Sequence, residues 1–497
     1  MDPKKENIAP DVVEDLKFDG QHGQHGQHGL AMPGDLAGLS DEEYAKLGKK
    51  ATLKMDLIIM PIMVIMYILN YLDRQNIASA KLADITVDLN LSPVQYQTTV
   101  SILFVGYILM QVPSNMIVGK IKWPGFYICA GMATWGVISA LMAVIHNYEG
   151  LLMCRFFLGF VEAIFFPGAL YFLSMFYNRK QFALRTAILY SGSQLGNAFG
   201  GLFAIAILNL DGKSGLEGWR WLFLVEGVIT VGLAIPFAFI LPNSNKKILT
   251  LSPLECEWVQ WNMAQDQGQE DDRSEATAWQ GFLMAVLDVK TWMLMGILYS
   301  TYIVGTLVNF FPSVVGGLGF SRNITLALTA PPFMLCVVCM LINGFHSDRK
   351  QERYLHIVIP LTITLVANII AVSSLAIPAR YVAMMLLPAS FYSAAVVILS
   401  WITGTLSQPS IKRASAIALI NAMCNTPNIW GSYLYYEPPR YMTAFLVCVA
   451  ATALAISFAT FTRFWLKRLN NKLDRGEDVG KYGPTQAQIN SKFRYLL

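Results

Sequence analysis

The chain has 497 residues, of which 54% are hydrophobic and only 14% charged, with a mean hydropathy of +0.44. A soluble protein of this length would fold as about three domains of roughly 150 residues, but such an apolar excess points to a polytopic membrane protein. The formal net charge of +4 is spread over loops rather than gathered on one face, which excludes a nucleic-acid-binding footprint.

Residues 1–52 are polar and mixed in charge, lack the pattern of a cleavable signal peptide, and read as a cytosolic disordered tail. Within them QHGQHGQHG (residues 21–29) holds three of the six histidines. Its glycines make it flexible, so it either stays disordered or holds a transition metal weakly. No cofactor and no resident metal is expected.

A membrane span needs about 20 mostly apolar residues. Twelve such stretches follow, near 53–73, 97–118, 125–146, 151–176, 183–209, 221–241, 291–312, 325–345, 355–376, 381–402, 413–433 and 441–464. They predict an all-α membrane protein of twelve transmembrane helices in two six-helix bundles, 53–241 and 291–465. A cytosolic linker over 242–290 joins the bundles, and a cytosolic tail follows over 466–497. Lys120, Lys122, Arg179, Lys180, Arg185, Arg349, Lys350, Arg353, Lys412 and Arg413 collect in alternate loops, while the opposite loops hold single cations such as Lys81, Arg322, Arg380 and Arg440. By the positive-inside rule both termini are cytosolic. Asn323-Ile324-Thr325 is then a glycosylation sequon in an outer loop, with Asn323 the acceptor.

The first span carries Asn70, Asp73 and Arg74 at i, i+3 and i+4, one polar stripe on one side of a helix. In the fourth, Arg155 and Glu162 are two turns apart; at 1.5 Å per residue Glu162 lies roughly 18 Å below the outer end, near the midplane. An ionisable group there costs roughly 2.5–3.5 kcal/mol on insertion scales and is functional by default. Guanidinium groups suit a carboxylate, and carboxyl groups out of water suit proton carriage. The set fits coupling of an organic anion, received by Arg74 and Arg155, to protons carried by Asp73 and Glu162. The alternative is a static tie between Arg155 and Glu162.

Gly192, Gly196 and Gly200 form a small-xxx-small seam in the fifth span, expected to be a sliding surface, with Gln194 and Asn197 beside it. In the linker, Ser252-Pro253-Leu254-Glu255 combines a capping box with proline at the first helical position. Leu254, Trp258 and Trp261 then share a face, which predicts a short helix on the inner membrane surface, as a brace or a regulatory element. Tyr299, Tyr302, Thr306 and Asn309 stripe the seventh span, and Asn421, Asn425, Asn428 and Ser432 the eleventh. These neutral stripes either line a substrate site or bond helices together. Of seven cysteines, Cys336 and Cys339 form a C-x-x-C, but inside a lipid-embedded helix they read as packing residues.

Several strings carry a family resemblance over nearly the whole chain, from Leu53 to about Lys472. Gly344-Phe345-His346-Ser347-Asp348-Arg349 with Arg353 resembles the G-x-x-x-D-R-x-x-x-R loop of the major facilitator superfamily, which implies a latch at Gly344, Asp348, Arg349 and Arg353. The loop after the second span, Gly119 to Pro124, lacks the acid. YLDRQN (71–76), VPSNM (112–116), RFFLGFVEAIFFPG (155–168) and GWRWLFLVEG (218–227) together resemble the fungal allantoate permease branch of anion:cation symporters. By that resemblance Asp73, Arg74, Arg155 and Glu162 match the charged positions of organic-anion carriers. Gln111 and Gln181 stand where an acid is common. The resemblance implies carriage of a nicotinate-like or other vitamin or nitrogen-source carboxylate.

The expected protein is not an enzyme. It is a multi-pass plasma-membrane carrier, acting as a monomer in the lipid bilayer, whose partners are a small carboxylate and protons. Asn70, Tyr299, Tyr302, Asn309, Asn421 and Asn425 join Arg74 and Arg155 as the candidate binding residues. Efflux of an acidic metabolite by the same fold and a non-transporting nutrient sensor are the open alternatives.

Overall fold

A computed structural model describes residues 32–118, 121–244, 248–268, 278–406, 410–477, 479–480, 483–484 and 493–497. The QHG tract and the Gly119-Lys120 end of the loop after the second span lie outside the described residues.

The long helices, in chain order, are α1 (Asp41–Lys81), α2 (Pro93–Val118), α3 (Pro124–Val144), α4 (Tyr148–Ser174), α5 (Arg179–Leu208) and α6 (Gly218–Ile240), then α7 (Val289–Gly316), α8 (Arg322–Lys350), α9 (Tyr354–Ser373), α10 (Ile377–Thr405), α11 (Ser410–Asn425) and α12 (Met442–Asp474). No strand occurs among the described residues. Their packing repeats with an offset of six: α1 on α5, α2 on α4, α3 and α1 on α6, then α7 on α11, α8 on α10, α9 and α7 on α12. The protein is an all-α membrane protein of two six-helix bundles. Nine of the twelve rods, among the described residues, are long and apolar enough to cross a membrane by themselves. The other three, α2, α5 and α11, lie where the bundles meet, with α5 against α8 and α2 against α11.

Local sequence sets the helix ends. Ser40 and Glu43 form a reciprocal capping box, so α1 begins already at Asp41 and residues 41–52, expected in the tail, are helical. Asn147 caps α4 and Asn178 caps α5 through side-chain oxygens that accept backbone N–H groups at 2.9 and 3.0 Å. Turns at Ala163 and Ile164, ahead of Pro167, break α4. α7 tightens to a 3-10 stretch over Thr306–Phe310 before Pro312. Inside the first bundle Gly159 brings α4 onto α2: a Cβ there would sit 1.9 Å from the Leu103 carbonyl oxygen.

The Gly192, Gly196, Gly200 seam is filled by α1 of the same bundle, a Cβ on Gly196 meeting Tyr71 at 2.8 Å. It is packing within a bundle rather than the expected sliding surface. The cross-bundle approach uses Gly201, whose Cβ would lie 2.3 Å from the Leu326 carbonyl. Ser101 Oγ donates to the Ile429 carbonyl at 2.8 Å, and the Thr98 and Tyr433 hydroxyls meet at 3.0 Å. These ties lie at the end remote from the termini. Four hydrogen bonds that join the bundles lie at or beyond the level of Gln194, midway along α5. The molecule is therefore sealed at the end remote from its termini.

The linker helix Pro253–Gly268 forms with the expected capping box, the Ser252 amide donating to Glu255 at 2.7 Å. Lys54 Nζ reaches Glu255 at 2.7 Å and clamps this helix to the first turns of α1. Trp258 and Trp261 are buried rather than set in the headgroup layer, because the extended start of α1 offers Gly48 and Tyr44 as a protein surface for Trp258. After α8, Arg353 Nη1 donates to Asp348 at 2.6 Å and to Ser347 at 2.9 Å, bonds that stay within the loop; Arg349 stays exposed and Gly344 packs beside Val396.

Candidate functional site

Between the bundles lies a cavity with about 120 Å3 of free interior. At 10–15 Å3 per water on this scale, it takes roughly ten water-sized occupants, the size of a small organic molecule rather than a lone ion. The first bundle contributes Asn70, Arg74, Gln75 and Glu162, and the second Tyr302, Asn309, Asn421, Asn425 and Asn428. Tyr67, Tyr71, Phe104, Tyr107, Phe166, Tyr190, Phe391 and Tyr392, with Gly305 and Val308, form the rest of the wall. Among these residues Arg74 is the one cation and Glu162 the one anion. The cavity is thus charged on one side and neutral on the other, in an aromatic sleeve.

Arg74 Nε donates to Glu162 Oε2 at 3.0 Å, while Glu162 Oε1 has no partner. The pair is held by one contact rather than the two-pronged grip a guanidinium can make. The Arg74 guanidinium also stacks over Tyr107 at 4.9 Å and Tyr71 at 5.3 Å, which steadies a cation without consuming its N–H groups. Overhead, Gln75 Nε2 reaches Asn309 Oδ1 at 3.5 Å, and Asn309 Nδ2 donates to Asn428 Oδ1 at 3.0 Å. This amide chain crosses from α1 to α7 and on to the short helix Pro427–Trp430 that follows α11, and roofs the cavity at its sealed end.

The other expected residues sit elsewhere. Arg155 is buried outside the cavity lining; its Nε donates to the Thr99 carbonyl at 3.3 Å and its Nη atoms to the Arg74 carbonyl at 3.3 and 3.4 Å. Asp73 is fully buried within the first bundle, accepting from Ser139 Oγ at 2.6 Å and Thr230 Oγ1 at 3.1 Å. Tyr299 lies outside the lining and accepts from Trp430 Nε1 at 3.3 Å. Gln181 donates to Thr52, whereas Gln111 Oε1 is buried without a partner. Asn323 is exposed at the sealed end. Glu226 of α6, not singled out by its sequence position, is buried beside Asp73 and accepts from Asn76 at 2.6 Å.

A sequence model of the Major Facilitator Superfamily matches residues 63–432. This chain belongs to that superfamily. Its relatives include an MFS-type transporter of Penicillium expansum, 32% identical over 87% of this chain and 86% of that one. A Schizosaccharomyces pombe protein named an uncharacterized transporter is 30% identical over 89% of each. A high-affinity nicotinic acid transporter of Saccharomyces cerevisiae is 28% identical over 90% of this chain and 85% of that one. The fold is similar to that of a bacterial homologue of the human lysosomal transporter Spinster, crystallised inward-facing and occupied, with a TM-score of 0.63 at 16% identity, covering 82% of this chain and 96% of that one. Together these make the major facilitator protein described here a multi-pass membrane transporter of a small molecule, not an enzyme.

Proposed function

We propose that this transporter takes up a small organic carboxylate with protons across the plasma membrane, by rocking the bundle of residues 53–241 against that of 291–465. The observation that carries the reading is the Arg74 and Glu162 pair in the cavity wall. A carboxylate entering the cavity competes with Glu162 for the guanidinium, and a proton on Glu162 frees Arg74 for the newcomer. Anion and proton binding are thereby linked at one contact. Tyr302, Asn309, Asn421 and Asn425 face the remainder of the substrate, and the aromatic sleeve suits a planar, partly apolar acid.

The four strings shared with the allantoate permease branch, and a relative named for nicotinic acid, favour a nicotinate-like substrate. The terminus-bearing face is cytosolic and the sealed end extracellular in this reading, which leaves Asn323 available for glycosylation. The protein works as a monomer, each chain holding its own cavity.

Uptake of radiolabelled nicotinate, and of a panel of other carboxylates and their neutral amides, by cells expressing the protein tests the reading. Accumulation of an acid but not its amide, rising as external pH falls, is expected. Uptake indifferent to pH, or preference for the amides, overturns it. An impermeant thiol reagent should reach a cysteine placed near Asn323 and not one near Lys350 in intact cells; the reverse pattern inverts the topology.

A further inference from the structure

Behind the cavity wall, α1 and α6 are joined by two polar rungs one helical turn apart. Thr230 donates to Asp73 on one rung, and Asn76 donates to Glu226 on the other. The spacings 73 to 76 and 226 to 230 run in opposite senses, as antiparallel helices require, and place two carboxyl groups about a turn apart. Asp73 acts on Glu226 electrostatically, and no cation among the described residues pairs with it. α3, packed on the same side of α6, offers only the uncharged Trp135 and Ser139 and the tight Gly136 contact to Gly227. Glu226 Oε1 is buried with no partner at all. An ionised carboxylate so placed is costly unless a cation or further donors meet it.

A second, smaller cavity of about 20 Å3 lies at the sealed end, lined by Asn76, Ser79, Asn197 and Thr329 among others. That is room for a water or two, with the several polar partners a buried water needs; Asn197 Oδ1 is itself buried and unpartnered. Asn76 thus borders this cavity while its amide is bonded to Glu226. Rotation of that one side chain would open the carboxyl to it. Gln75 and Val308 line both cavities, so the smaller one adjoins the substrate cavity behind the amide roof.

We propose that Glu226 is a proton-binding site separate from the Arg74 and Glu162 pair, exchanging its proton through the small cavity with Asn76 as the plug. Its use in transport rests on the proton-coupling reading above; its existence as a titrating site does not.

Infrared difference spectra of the full-length protein in nanodiscs, taken between about pH 5 and about pH 9, test it without any substrate. A protonated-carboxyl C=O band that bleaches as pH rises and shifts in D2O is expected, lost in Glu226→Gln but retained in Glu162→Gln. An unchanged band in Glu226→Gln, or one that neither titrates nor exchanges, overturns the proposal. Asn76→Ala keeps the carboxyl and removes the plug, so deuterium exchange of the band should quicken at least about tenfold; an unchanged rate overturns the assigned route, even should Glu226→Gln fail to fold. Nicotinate accumulation driven by a pH gradient is then measured separately in liposomes. Its absence in the unmodified protein overturns the coupling reading and leaves the infrared result standing.

Discussion

Arg74 and Glu162 meet at 3.0 Å from two different helices, although Arg155 shares a helix with the carboxylate only two turns away. Arg155 is already satisfied by the carbonyls of Thr99 and Arg74. The guanidinium free to serve the cavity is therefore that of Arg74, and the roles of the two arginines separate experimentally.

Arg74→Lys keeps the charge but replaces a planar fork stacked on Tyr107 with a point charge. Losing a buried charged hydrogen bond typically costs about 2–5 kcal/mol, so nicotinate affinity should fall at least about thirtyfold. Binding of nicotinamide should change little. Equal losses for acid and amide would make Arg74 a packing residue.

For Glu162→Gln, the side chain mimics the protonated acid permanently. Exchange of labelled for unlabelled nicotinate across the membrane should persist, while accumulation against a gradient, supplied by about 1.4 kcal/mol per pH unit per proton, should disappear. Full concentrative uptake with unchanged pH dependence would remove Glu162 from the coupling.

Arg155→Leu removes the guanidinium bonds to the Thr99 and Arg74 carbonyls, which keep their helical backbone donors. At about 1.5–3 kcal/mol for a hydrogen bond from a charged group, thermal stability should drop measurably. The fraction that remains folded should bind nicotinate within about twofold of the unmodified affinity, a difference worth under roughly 0.5 kcal/mol. A large affinity loss with unaltered stability would return Arg155 to the substrate site.

Gly201→Val should prevent the sealed end from closing, since its Cβ would lie 2.3 Å from the Leu326 carbonyl and 2.4 Å from Thr329 Oγ1. A cysteine at Asn197 should then label faster from outside than in the parent. Unchanged labelling would show that the seal is held elsewhere.

Glu255 offers a pH test outside the membrane. Burial works to raise its pKa, but the hydrogen bonds from Lys54 and the Ser252 amide, with the Lys54 and Lys50 charges, overcome burial and hold it below the ordinary glutamate range. A depressed folded value means the docking energy is present above the unfolded value and is lost as pH falls through the folded one. Protease cleavage near Gly268 should stay slow down to the ordinary glutamate pKa and accelerate only below it. Glu255→Gln should cleave at one pH-independent rate.

Span positions and the charged residues of α1 and α4 are legible in the sequence because hydropathy and helical spacing are local properties. Partner choice is not local. Spacing alone couples Arg155 to Glu162, whereas Arg74, 88 positions away, takes the carboxylate. Tyr302 and Asn309 reach the cavity and Tyr299 does not, because Tyr299 lies a turn nearer the terminus-bearing end, where its hydroxyl accepts from Trp430. Trp258 reads as an interfacial residue until the capping box at Ser40 extends α1 beneath it. Glu226 had a signal, a single acid within an apolar span, but its neighbour Asp73 belongs to another helix.

With one cation and one anion in the substrate cavity, the net charge there depends on what is bound. Empty, the cavity is neutral; with both a proton and a monoanion it is neutral again. A proton alone leaves Arg74 uncompensated, and an anion alone leaves an excess negative charge. Each half-loaded form would have to carry a bare charge through the occluded midpoint at the cost of its desolvation, while the membrane potential, about 2.3 kcal/mol per 100 mV, opposes one sign of charge and drives the other. Under the coupling proposed above, the single contact between Arg74 and Glu162 acts as an account of what has boarded, permitting the swing for the empty and the fully loaded carrier and penalising slip in between.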